Sequence, residues 1–133
     1  MKKSRIDKYY LELYDVYLVV ANDKVKLKDL QNKYSYADNV ELDERILEGC
    51  ATTSCCIDKK TKAKVQLIKY NRGSMNKELD KTLDFINIVS HEATHVALDI
   101  YEQIGQNICY CTPEPFCYLQ GWATQCIYKT LRK

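Results

Sequence analysis

Residues 80–105 read DKTLDFINIVSHEATHVALDIYEQIG, and this stretch decides the fold. Leu83, Ile86, Val89, Ala93, Ala97, Ile100 and Ile104 recur at steps of three and four, the period of a helix with one buried face. The pattern predicts a long helix that starts near Asn76 or Asp80 and stops at Gly105 in a left-handed cap. Within it, His91-Glu92-Ala93-Thr94-His95 is an H-E-x-x-H sequence. Histidines four apart lie one turn above each other, with Cβ atoms about 6 Å apart. Two imidazole nitrogens at that spacing can converge on one zinc ion at roughly 2.0–2.1 Å. The glutamate beside the first histidine reaches a metal-activated water and can take its proton. On a helical wheel the apolar arc is centred near Ala93, Ile100 and Ile104. His91 and His95 fall almost opposite, where a core histidine does not belong.

Working outward, a second helix is expected over residues 113–131, with Thr112 as N-cap and Pro113 at its first position. Gly121 and Ala123 are expected to let the two helices approach closely, with Trp122 a core or cleft aromatic. The first half reads as extended chain. Residues 10–20 (YLELYDVYLVV) look like a strand broken by Asn22-Asp23, and residues 27–33 like a short helix or structured loop. Residues 50–57 and 62–70, joined by Asp58-Lys59-Lys60-Thr61, look like a hairpin, which Asn71-Arg72-Gly73-Ser74 ends. Lys64 and Gln66 alternate with Val65 and Leu67, the pattern of a strand with one wet face. The expected architecture is α+β: one domain over residues 1–133, with strands and loops in 1–74 and a metal-binding helical part in 75–133.

Composition narrows the class. The chain has 133 residues, 46% of them apolar and 29% charged, a globular balance. Twenty basic residues against eighteen acidic ones leave a charge of +2 with no basic block. That argues against charge-driven nucleic-acid binding. No apolar run is long enough for a membrane span. The basic start is interrupted by Asp7, Glu12 and Asp15 where a signal peptide needs an apolar region. With seven cysteines, an odd number, and no Asn-x-Ser/Thr site, free thiols in a reducing, cytoplasmic setting are the expectation. Cys55 and Cys56 are adjacent in extended chain and should face opposite sides. Among Cys109, Cys111, Cys117 and Cys126 no pair has the two-residue gap of a zinc knuckle.

Zinc hydrolysis needs a third protein ligand and an open position. The chain has only two histidines, both in the motif, so that ligand must be a carboxylate or thiolate. Asp84, Asp99, Glu102 and Glu114 are the acids in range, with Cys109, Cys111 and Cys117 behind them. Glu102 lies about 10 Å along the axis from His95, too far to close one tetrahedron. Asp99, one turn from His95, suits support of an imidazole from behind. Glu114 opens the next helix, and an antiparallel return would bring it back over the histidines.

His91-Glu92-Ala93-Thr94-His95, then eighteen residues, then Glu114, resembles the gluzincin pattern of zinc metallopeptidases. The stretch EPFCYLQGW at residues 114–122 is similar to short phage-encoded proteins of this type, as are residues 26–31 and 58–61. The resemblance implies a minimal zincin, with a small antiparallel or mixed sheet against the HExxH helix. It implies Zn2+ held by His91, His95 and Glu114, and Glu92 as general base in hydrolysis of a peptide or protein substrate. Substrate would lie along an edge strand, expected at residues 62–70. A phage origin would place the protein in host cytoplasm or in a virion. Thermolysin-like enzymes carry an aspartate four residues after the ligand glutamate, and here that position is Tyr118. Its phenol could donate to a developing oxyanion, and packing with a satisfied hydroxyl is the other reading. Two rival functions remain: a non-catalytic zinc-stabilised structural or host-interaction protein, and a zinc hydrolase of a non-peptide amide.

Overall fold

The structure is a computed structural model that describes residues 2–73, 78 and 80–132. Ser74 and Asn76, where the sheet was expected to end and the long helix to begin, lie outside the described residues. Five strands form one mixed sheet: β1 (Ile6–Leu11), β2 (Val16–Ala21), β3 (Tyr34–Tyr36), β4 (Ala51–Asp58) and β5 (Lys64–Tyr70). Their order across the sheet is β1-β2-β5-β4-β3. Helix α1 (Leu27–Gln31) follows β2, while α2 (Lys81–Gln103) and α3 (Glu114–Leu131) follow the sheet. The α+β expectation is met.

The single strand expected over residues 10–20 is instead two. A 3-10 turn at Glu12–Tyr14 reverses the chain, with Asp15 in the left-handed region at φ 50°. β1 then pairs antiparallel with β2, Leu11 opposite Val16. β4 and β5 form the expected antiparallel hairpin. The other side of β5 pairs parallel with β2, Tyr17 opposite Val65. β5 is therefore the central strand, not an edge. Of the expected wet face, Lys64 is exposed but Gln66 is 2% exposed, and Lys69 on the opposite face is equally buried. Each buried polar group keeps partners. Gln66 bonds to the Cys55 thiol, and the Lys69 amine donates to the carbonyls of Asn22 and Tyr70.

Alternation sends side chains to two cores. Val16, Leu18, Val20 and Ile68 meet α2 and α3 on one face. Val19, Ala21, Cys56, Val65 and Leu67 meet Leu30 of α1 and Ile46 on the other. Cys55 is exposed and Cys56 buried, as their adjacency in a strand requires. Helix α2 buries Val89, Ala93, Ala97 and Ile100, whereas Leu83 and Ile86, expected on that face, are 66% and 54% exposed. Gly105 closes the helix at φ +73°. Helix α3 starts one residue later than expected, capped by Pro113 without a side-chain bond. Thr112 is not the cap; Pro113 takes that position. Gly121 is also not a close-approach point: a Cβ there would meet nothing within 4 Å. Ala123, fully buried, is in the core.

Candidate metal and acid-base site

Asp80 caps α2, its carboxylate accepting from the N–H groups of Thr82 and Leu83. The helix then runs unbroken past the motif, so the relative placement of His91, Glu92 and His95 follows from helix geometry. Both histidines are exposed. Their Nε2 atoms lie 3.2 Å apart. Two nitrogens bound to one tetrahedral ion at 2.0–2.1 Å stand roughly 3.3–3.4 Å from each other. The pair thus has the separation a shared zinc requires, and it fits the metal as a two-nitrogen donor set.

Glu92 turns the other way, toward β4, and is 6% exposed. A buried carboxylate needs hydrogen-bond donors, and the Thr53 hydroxyl supplies one at 2.5 Å. Alternation along β4 points Ala51, Thr53 and Cys55 at the helix. Farther along the seam, Asp99 lies near the Cys55 thiol and His95. Burial raises the Asp99 pKa, while the nearby His95 and Cys55 pull it down. Burial likewise raises the Cys55 thiol, against the bond from Gln66. Beside His91 and Glu92 a polar cleft of about 230 Å³ is walled by Cys50, Ala51, Asn87 and Ile88.

The rim of this cleft is, among the described residues, a sheet edge without a further strand. β3 pairs only with residues 56–58 of β4. Among the described residues, β4 has a strand neighbour along 51–54 only on its β5 side. The edge strand beside the motif is therefore β4, which replaces residues 62–70 in that role.

Glu114 and Tyr118 are placed elsewhere. Glu114 is the exposed first residue of α3. Phe116 packs on Tyr101 of α2, ring centroids 5.2 Å apart. At 100° per residue Glu114 lies about 160° from Phe116, on the side turned from α2, and only about 40° from Tyr118. Tyr118 is 74% exposed. It lines a separate apolar cleft of about 390 Å³ with Leu11, Leu13, Tyr14 and Trp122. Among the described residues no group of three or more His, Cys, Asp or Glu side chains is placed to hold a metal ion. The structure thus brings together His91, His95 and Glu92, and does not bring Glu114 or Tyr118 to them.

Thr53 and Asn87 were not singled out in the sequence. Thr53 was findable in part, since it shares the helix-facing alternation of a predicted strand. Asn87, one turn before His91 on the predicted helix, carried no other mark. No family model, curated protein or solved structure matches the chain. Among the described residues no helix is long and apolar enough to cross a membrane.

Proposed function

We propose that the protein is a zinc-dependent hydrolase of peptide bonds, with His91 and His95 as metal ligands and Glu92 as general base. The observation that carries this reading is the 3.2 Å separation of two exposed Nε2 atoms one residue from a buried, anchored carboxylate. A zinc ion bound there supplies Lewis-acid polarisation of a carbonyl and acidification of a water. Glu92 accepts the proton of the attacking water and returns it to the leaving amine. Thr53 holds the carboxylate in orientation while it does so. The open edge of β4 offers main-chain groups to an extended peptide, which would lie across the cleft beside His91. The polar walls at Cys50 and Asn87 suit a small side chain next to the scissile bond.

A non-catalytic zinc-stabilised protein is the second reading, favoured by the burial of Glu92. Metal content measured beside peptide-library cleavage separates the two. Hydrolysis predicts stoichiometric zinc and cleavage that Glu92→Gln abolishes while zinc is retained. Cleavage unaffected by Glu92→Gln removes the base from the mechanism. Zinc that raises the melting temperature with no cleavage of any peptide supports the structural role.

A further inference from the structure

Away from the histidine cleft, the connection from α2 to α3 carries two exposed free thiols, Cys109 and Cys111. The backbone folds on itself there. Thr112 N–H donates to the Cys109 carbonyl at 3.2 Å, the bond that closes a four-residue turn. Two 3.8 Å virtual bonds folded through about a right angle put the Cα atoms of the two cysteines roughly 5.5 Å apart. That lies within the span of about 4.4–6.8 Å that a disulfide bridges.

The same turn surrounds one sulfur with polar groups. The Thr112 hydroxyl, then the nearby N–H groups of Cys111 and Thr112, lower the Cys109 pKa below the ordinary thiol value. A thiolate is the nucleophile in disulfide exchange, so such a site favours attack. The other cysteines are placed differently. Burial pushes Cys56 up to about 12 and Cys126 up to about 11, and burial also raises Cys55. Cys50 donates its thiol to the Gly73 carbonyl. Cys117 is exposed but belongs to α3, beyond the turn.

We propose that Cys109 and Cys111 form a thiol–disulfide exchange site that reacts with small-molecule disulfides such as oxidised glutathione. Cys109 attacks one sulfur of the disulfide. That S–S bond breaks, one thiolate leaves and takes up the proton lost from Cys109, and a mixed disulfide remains. Cys111 then gives up its proton, attacks the Cys109 sulfur and expels the second small thiol. Two protein thiols become one disulfide, and one small disulfide becomes two thiols.

Tyr110, 96% exposed, lies between the cysteines and makes the test direct. Chymotryptic cleavage after Tyr110 separates the two cysteines unless a disulfide joins them. The full chain, zinc-loaded, is treated with oxidised glutathione near neutral pH, quenched in acid, digested and analysed by mass. The expected product is the two fragments joined through Cys109 and Cys111, without retained glutathione. Cys111→Ser should trap glutathione on Cys109, and Cys109→Ser should slow modification of the turn by about tenfold or more. A stable Cys109 adduct in the wild type, a bridge to Cys117, or equal rates in wild type and Cys109→Ser would overturn the proposal.

Discussion

The Thr53 hydroxyl reaches from β4 to the Glu92 carboxylate of α2 at 2.5 Å, joining residues 39 apart in the chain. Thr53→Val keeps the shape of the side chain and removes the donor, leaving a buried carboxylate short of a partner. The variant should lose about 1–3 kcal/mol of stability in urea denaturation, and any peptide cleavage should fall with it. Thr53→Ser restores the hydroxyl and should recover both. Wild-type stability in Thr53→Val would show that the bond contributes nothing.

The histidine pair should bind zinc with little effect on the fold when it is mutated. Both residues are exposed, so His91→Ala and His95→Ala should each change metal-free stability by within about 0.5 kcal/mol. Zinc at 100 times its Kd should stabilise the wild type by about 2.7 kcal/mol. Chelator-competition titration and melting curves measure both quantities. Stoichiometric zinc retained in the double alanine variant would move the site to the cysteines.

Asp99 and Glu114 give opposite expectations. Asp99 follows His95 by one turn, and its pKa is sensitive to that histidine's charge. One turn from His95 and electrostatically coupled to it, Asp99 can steady the imidazole, so Asp99→Asn should weaken zinc binding by about 10–100-fold. Glu114 faces away from α2, and Glu114→Gln should leave zinc affinity within about twofold. A large loss in Glu114→Gln would mean that the first turn of α3 swings to the metal, as the sequence spacing suggested.

Asp58 sets an acid limit on stability. Burial raises its pKa, but the Thr61 N–H, the Lys8 amine and the Lys60 N–H outweigh that and hold it below its ordinary value of 3.8. A carboxyl held low in the folded state contributes stability above its unfolded pKa and loses it as pH falls through the folded value. The urea midpoint should therefore decline below about pH 4. Asp58→Asn should lower stability by roughly 1 kcal/mol near neutrality and flatten that decline. A wild-type midpoint level down to pH 2 would remove Asp58 as a cause.

The helical half was legible because period and caps agree. Val89, Ala93, Ala97 and Ile100 are buried, Asp80 caps the start of α2 and Gly105 closes its end. The hairpin of β4 and β5 was legible for the same local reason. The reversal at Glu12–Tyr14 was hidden, since Tyr, Leu and Val continue through it and a left-handed aspartate makes the turn in place of glycine. The central position of β5 was hidden by Lys64 and Gln66, which read as a wet face, and by Lys69 on the other face. Gln66 and Lys69 are buried because Cys55 and the carbonyls of Asn22 and Tyr70 wait for them, and such partners are set by tertiary packing. At the site, the histidine pair follows from spacing on one helix. The Thr53–Glu92 bond and the direction faced by Glu114 depend on how separate elements pack.

The parallel pairing of β2 with β5 also divides the site in time. Tyr17 finds Val65 only after the intervening chain, with α1, β3 and β4, has looped out and back. Such non-local pairing is slow to form compared with a helix. The donor pair for the metal sits within one turn of α2 and exists whenever that turn is wound. The partner of the base arrives only when the sheet has closed. Under the proposed function, a folding chain would capture zinc early, as a nucleus around which α2 is held, and would become competent for acid–base chemistry last.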